Sequence, residues 1–335
     1  MSDFRQRLEQ FLLERNQSAN IEQLTPDASV REYFRVIWNG AAAIACVYPE
    51  PFAAGEQNYL DVTNVFRASG LPVAEIYDFD ENLGVIVMED FGDIILRDVL
   101  KVSENTEKEK LINQAISLIA RIQAATPKAF ELDSIASRLK FDTEKLLWEL
   151  NFFKTHYFET FRKKKLSEAE DFNISNEFAA LSAELETRAK VLCHRDFHAA
   201  NLMIDFKKNL RIIDHQDARI GSIAYDLVSL LLDRVTETPP HDWLAEKKRF
   251  FLSEREKLSL EAIKFEDFDD EFQLMTVQRC LKAIGTFSFQ SETRGKTHFV
   301  QYINPMLRIV LLACEKLDRF PALHQMIESQ TEARV

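Results

Sequence analysis

Residues 191–214 read Val191-Leu192-Cys193-His194-Arg195-Asp196-Phe197-His198-Ala199-Ala200-Asn201-Leu202-Met203-Ile204-Asp205-Phe206-Lys207-Lys208-Asn209-Leu210-Arg211-Ile212-Ile213-Asp214. Two short apolar runs, 202–204 and 210–213, flank the polar turn 206–209, a pattern that predicts a β-hairpin. Closing that hairpin brings Asn201 and Asp214 together at its open end. Asp196 lies five residues before Asn201, on the loop that feeds the first strand. Phosphoryl transfer requires such a set. A hard cation such as Mg²⁺ takes oxygen donors, with one or two carboxylates and the rest supplied by phosphates and water. A further carboxylate can orient a hydroxyl and accept its proton late in transfer, for which an ordinary aspartate pKa of about 3.9 suffices. Asn201 and Asp214 are the metal candidates and Asp196 the candidate base.

Upstream, apolar residues at helical spacing over 4–15 predict a short amphipathic helix. The runs 33–38 and 42–47 flank Asn39-Gly40, which predicts a tight hairpin. A helix over 55–69 stopping at Gly70, and a strand over 84–88, complete a small β-rich lobe of residues 1–90. Helical periodicity then dominates: 111–122, 143–161, 177–189, 225–235, 272–289 and 302–317 are predicted helices, making residues 91–335 a larger helical lobe. The class is α+β.

Only 8 of 335 residues are glycine, against about 23 at average usage. No G-x-G-x-x-G and no G-x-x-x-x-G-K-[ST] can be written, so a bound nucleotide is held without a glycine-rich phosphate cradle. The formal net charge of −12 argues against nucleic-acid partners. The one basic run, 162–165, reads as a solvated helix C-terminus. Four widely spaced cysteines suit reduced thiols, no apolar run approaches about 18 residues, and the N-terminus lacks a signal-peptide core. A cytoplasmic protein with no membrane partner is expected.

The segment His194-Arg195-Asp196-Phe197-His198-Ala199-Ala200-Asn201 resembles the catalytic loop of the protein-kinase-like superfamily, and with Ile213-Asp214-His215-Gln216-Asp217-Ala218-Arg219 it looks most like the aminoglycoside phosphotransferase-like (choline-kinase-like) family. Within that family it is similar to the anomeric kinases of N-acetylmuramate and N-acetylglucosamine. Four further segments agree in order: 27–35, 88–92, 225–231 and 278–287. The resemblance implies a two-lobed protein-kinase-like fold. The implied activity is ATP- and Mg²⁺-dependent phosphorylation of a small-molecule hydroxyl, most simply the anomeric hydroxyl of an amino sugar.

Carried onto this chain, the family's roles make Asp196 the base and Asn201 and Asp214 the Mg²⁺ ligands. Asp226 braces the catalytic loop, and His194 packs to hold it. Met88, Glu89 and Phe91 fall on the lobe-connecting segment that meets adenine, while Ser29, Arg31, Tyr33 and Arg35 lie over the phosphates. In the family the region of the aromatic helix 148–158 lines the acceptor pocket, so Glu149 and Tyr157 are acceptor candidates, while Trp148, Phe152 and Phe153 read as core. Asp217 and Arg219, just past the metal aspartate, are also substrate candidates. One departure is plain: no lysine precedes Lys101. Arg31 or Arg35 is the expected substitute, since a guanidinium fork suits phosphate. Other acceptors (an aminoglycoside, choline or homoserine) and a non-catalytic nucleotide-binding pseudokinase are the alternatives.

Overall fold

In the computed structural model, residues 3–24 and 30–332 are described; Ser29 lies outside them. At the centre of the N-terminal part is the hairpin of β2 (Glu32–Trp38) and β3 (Ala41–Val47), following α1 (Asp3–Glu14) and β1 (Ile21–Leu24). Trp38 pairs with Ala41 across Asn39 and Gly40, whose φ values of 50° and 83° give the twist that a two-residue hairpin favours. The helix α2 (Asn58–Ala68) precedes β4 (Ile76–Asp80) and β5 (Val85–Glu89), and the five strands form an antiparallel sheet in the order β1-β2-β3-β5-β4.

Strand alternation divides the side chains between two faces. Phe34, Val36, Ala43, Ala45, Val47, Val85 and Val87 pack against Leu8, Phe11 and Leu12 of α1. Cys46, Ile86 and Met88 face the other way, with Tyr59 of α2, Ala74 and Phe91. Tyr33 joins this second cluster, so the period of two that buries Phe34 and Val36 under α1 directs Tyr33 and Arg35 to the opposite face.

The chain continues through α3 (Leu96–Val102), α4 (Asn105–Ala124), α5 (Thr126–Glu131), α6 (Ile135–Arg138), α7 (Thr143–Phe153) and a π-helix (Lys154–Phe161) to α8 (Glu168–Thr187). Short strands follow: β6 (Val191–Cys193), the hairpin β7 (Leu202–Ile204) and β8 (Leu210–Ile212), and β9 (Arg219–Gly221), which pairs with β6. Then come α9 (Tyr225–Leu232), α10 (His241–Lys257), α11 (Phe265–Arg294), α12 (Val300–Leu317) and α13 (Pro321–Glu332). The expected helices are present: those over 111–122, 177–189, 272–289 and 302–317 are longer than the periodic stretch, those over 55–69 and 225–235 are shorter, and that over 143–161 divides into α7 and the π-helix. The first turns of α11 carry an acidic run over 266–271.

The described chain groups into two units: Met1–Ser103 with Glu131–Ile135 and Ala199–Asp217, and Glu104–Phe130 with Ala136–His198 and Ala218–Val335. These are drawn differently from a break after residue 90, for a reason seen in the backbone. The β7–β8 hairpin donates Ile204 N–H to Ile94 O at 2.8 Å and Ile212 N–H to Pro72 O at 2.9 Å, which ties it to the sheet-bearing unit. In the helical unit, α7 and α11 approach so closely that a Cβ on Gly285 would lie 2.6 Å from Phe153 Cα. All four cysteines are buried free thiols. Among the described residues, no helix is long and apolar enough to cross a membrane.

Candidate active site

The sheet-bearing unit carries the two metal candidates. The hairpin closes as its apolar strands predict, and its turn is stapled by Asp205, whose Oδ1 accepts the N–H groups of Lys207 (2.8 Å) and Asn209 (2.9 Å). At the open end Asn201 Nδ2 donates to Asp214 Oδ2 at 3.3 Å. Ile213 N–H to Asn201 O, 3.1 Å, fixes the register there. Asp214 adopts φ 63°, a left-handed conformation that aspartate tolerates better than most residues. Gln216 Nε2 donates to its Oδ1 at 2.9 Å, and its side chain stays 43% exposed.

The donor set fits a hard cation. An amide oxygen and a half-exposed carboxylate are oxygen ligands of the right type, and too few to enclose an ion. Among the described residues no group of three His, Cys, Asp or Glu side chains could hold a metal unaided. An ion here would complete its shell with phosphate and water oxygens, the pattern Mg²⁺ prefers.

The two candidate cations separate. Arg31 Nη2 lies 3.7 Å from Asp214 Oδ1, with its guanidinium 5.7 Å from the rings of both Tyr33 and Tyr48. Arg35 is committed elsewhere, donating Nε to Asp90 at 2.7 Å and Nη2 to Asp93 at 2.8 Å. Of the two, Arg31 is therefore the one beside the candidate metal pair. On the connecting segment, Met88 Sδ accepts a hydrogen bond from Tyr59 Oη at 3.0 Å, and Glu89 N–H is already donated to Glu75 O. Arg211 donates Nη2 to Glu89 Oε2 at 2.6 Å and lies 4.0 Å over the ring of buried Phe91. His215 is buried, hydrogen-bonded to Thr63 at 2.7 Å and packed against the Tyr59 and Phe66 rings. It is a packing residue.

The helical unit carries Asp196. The loop after β6 is clamped by Asp226 in the first turn of α9: its Oδ2 accepts His194 N–H at 2.7 Å and its Oδ1 accepts Arg195 N–H at 3.0 Å. Arg195 has φ 85°, a costly conformation for a non-glycine residue that needs such support. Asp226 is fully buried, and that burial pushes its carboxyl above the ordinary value despite the two donors. Buried His194 meets the Phe197 ring edge-on.

Two residues given no role by sequence reasoning complete this part. Arg279 Nη2 and Lys282 Nζ, both on α11, lie 3.2 Å and 3.1 Å from Asp196 Oδ1. Arg279 also donates to Ser229 and to Asp233, which is buried as its ion partner. Burial alone would raise the Asp196 carboxyl. Lys282, Arg279 and Arg195 outweigh it and hold the group well below the usual carboxylate range. Burial, the largest influence on His198, lowers its pKa to about 4 and leaves it neutral at pH 7. The available signal was the 278–287 segment, where Arg279 and Lys282 stand three apart on one helix face.

The acceptor candidates require correction. Glu149 is 1% exposed and accepts Gln278 Nε2 at 2.8 Å; Tyr157 is 1% exposed, stacked on Phe153 and Phe161. Both lie on the side of their helices turned into the unit. Trp148, read as core, is instead 56% exposed. Asp217 is half-buried at the end of its segment of the first unit. Arg219, in β9 of the other unit, is buried with its guanidinium 5.2 Å from the Phe141 ring.

Comparison with known proteins identifies the family. The family model described as "Phosphotransferase enzyme family" (APH) matches residues 20–260. A protein of Neisseria meningitidis named N-acetylmuramate/N-acetylglucosamine kinase is 28% identical over 306 residues, 90% of this chain and 89% of the relative. One of the same name from Caulobacter vibrioides is 27% identical over 295 residues, 86% and 77% of the two chains. Among solved structures, choline kinase LicA from Streptococcus pneumoniae superposes with a TM-score of 0.58 at 14% identity, covering 92% of this chain and 99% of that one. The aminoglycoside phosphotransferase APH(4)-Ia, in ternary complex with AMP-PNP and hygromycin B, gives 0.57 at 17%, covering 90% and 97%. The chain belongs to the phosphotransferase enzyme family: it is a small-molecule kinase with a protein-kinase-like fold.

Proposed function

We propose that this enzyme moves the γ-phosphoryl group of ATP to the anomeric hydroxyl of an amino sugar, with Mg²⁺ as cofactor. The observation that carries the reading is the Asn201–Asp214 pair at 3.3 Å with Arg31 beside the same carboxylate. Two oxygen ligands and one guanidinium are what a triphosphate with its cation calls for. When bound, the ion neutralises charge on the β- and γ-phosphates. Arg31 holds phosphate oxygens through its planar fork, and residues 1–90 form the nucleotide-binding lobe, with the segment Met88 to Phe91 beside adenine.

Asp196 orients the acceptor hydroxyl and receives its proton as the new P–O bond forms. Its ion pairs with Arg279 and Lys282 keep it ionised and fix its direction. Catalysis then rests on positioning and charge neutralisation. The acceptor class is supported by the N-acetylmuramate/N-acetylglucosamine kinases to which nine-tenths of the chain is similar. A polycationic acceptor is disfavoured by the three cations that act on Asp196.

The test is Mg²⁺-dependent ADP release by the purified protein across a panel of amino sugars, neutral sugars, amino alcohols and aminoglycosides. Turnover with amino sugars is expected. Turnover confined to another class replaces the acceptor assignment, and no release with any acceptor overturns the kinase reading.

A further inference from the structure

The helix α7 presents an aromatic and cationic strip that the roles above leave unused. Its N-cap is Asp142, whose Oδ1 accepts Lys145 N–H at 2.7 Å. Lys145 then lies one turn into the helix with its ammonium 4.2 Å from the Trp148 ring. Trp148 leans on Phe152 at 5.6 Å, Phe152 on His156 at 4.1 Å, and His156 on Phe289 of α11 at 4.9 Å. Exposing 56% of an indole to water while its neighbour Glu149 is buried is a poor use of the largest side chain, unless something covers it.

The charges around Lys145 are equally suggestive. Among the described residues its ammonium makes no ion pair within 4 Å. Glu149 is the carboxylate that acts on it, and that group is already bonded to Gln278. Arg195, Arg219 and Lys282 act on it as like charges. Gln278 of α11 holds Glu149 of α7, and Lys282, one turn further along α11, lies 3.1 Å from Asp196, so the same stretch of α11 meets both α7 and the candidate base within the helical unit. A flat exposed indole, an ammonium over it and further cations toward the reacting carboxylate match one ligand chemistry: a sugar ring bearing an anionic substituent. The ring's C–H face stacks on the indole and the anion meets the ammonium.

We propose that Trp148 and Lys145 form the acceptor subsite, Trp148 as the platform for the sugar ring and Lys145 as the residue that selects an acceptor carrying a carboxylate. The proposal rests on the sugar-kinase reading above and adds the residues that read the acceptor. It also assigns a preference: an acidic amino sugar over its neutral counterpart.

N-acetylmuramate and N-acetylglucosamine differ by a lactyl ether with a carboxylate, so they isolate the charge. The test measures kcat/KM for both acceptors and KM for ATP, with calorimetric titration of each sugar into the intact protein as a readout independent of turnover. The wild type should favour the acidic sugar. Lys145→Met should lower kcat/KM and affinity for it by about tenfold, the loss of one charge-assisted hydrogen bond. The neutral sugar and KM for ATP should stay within about twofold, and Lys145→Arg should recover most of the loss. Trp148→Ala should weaken both sugars alike, while Trp148→Phe should weaken them less. Equal loss for both sugars in Lys145→Met overturns the selective role, and a raised KM for ATP reassigns the anion to nucleotide phosphate. Binding of neither sugar by a wild type that releases ADP with another acceptor overturns the proposal. A wild type that binds the acidic sugar but never turns it over contradicts the kinase reading instead.

Discussion

The two units of the molecule handle charge in opposite ways. In the sheet-bearing unit, the aspartate at the hairpin end is half-exposed, with Asn201 and Gln216 as neutral donors and Arg31 at 3.7 Å. In the helical unit, Asp196 is drawn in among Arg195, Arg279 and Lys282. A metal-binding aspartate must offer its oxygens to an arriving ion, and enclosure by cations would defeat it. A carboxylate that receives a hydroxyl proton must be ionised and aimed beforehand, which ion pairing achieves. On the proposed reading, the two carboxylates take different roles because their surroundings differ.

That contrast is most sharply tested by removing each charge in turn. Asp196→Asn should lower kcat about a thousandfold and leave the Mg²⁺ dependence of the residual rate unchanged. Asp214→Asn should raise the Mg²⁺ concentration for half-maximal rate by about tenfold or more, read from a metal titration. Equal metal dependence in both variants would erase the distinction. Arg31→Ala should raise KM for ATP about tenfold. Arg35→Ala, whose guanidinium is bound to Asp90 and Asp93, should instead lower the melting temperature with little change in KM.

A finer probe lies in the acid limb of the kcat/KM profile. Burial raises the Asp196 carboxyl, and Lys282 is the foremost of the cations that lower it. A depressed carboxylate keeps activity as pH falls, until its own pKa is reached. Lys282→Met should therefore move the acid limb to higher pH, and an unmoved limb would show that Lys282 does not set the charge of Asp196. The smallest expected effect is on packing. Gly285→Ala forces a Cβ onto the Phe153 backbone and should cost about 1–3 kcal/mol in a denaturant titration, with the Asp196 pH profile intact.

The sequence made much of this legible, because local rules govern much of it. Asn39-Gly40 can hardly be read as anything but a tight turn, and the apolar runs around 206–209 close only one way, so the Asn201–Asp214 pair follows from spacing. Contacts made at long range carry no such signature. Arg279 and Lys282 stand 83 and 86 residues from Asp196, and nothing local in the 278–287 segment says which carboxylate its cations meet. Glu149 and Tyr157 failed as acceptor candidates for a related reason. Helical periodicity defines a face, but which face turns inward depends on α11, whose Gly285 admits Phe153 and whose Gln278 captures Glu149. The π-helix from Lys154 then shifts the register by which Tyr157 would have been placed.

The scarcity of glycine also gains meaning from the structure. With no glycine-rich cradle and no lysine before Lys101, the proposed reading assigns the charge for a triphosphate to Arg31 and to an ion on Asn201 and Asp214. The claim that these groups serve phosphoryl transfer to an amino sugar is tested most directly by phosphorus NMR of the product. The enzyme is incubated with ATP, Mg²⁺ and N-acetylmuramate or N-acetylglucosamine labelled with ¹³C at C1. The account predicts a Mg²⁺-dependent phosphate ester whose phosphorus signal is split by the labelled carbon. An ester without that coupling would contradict anomeric transfer, and inorganic phosphate alone would contradict transfer to these sugars.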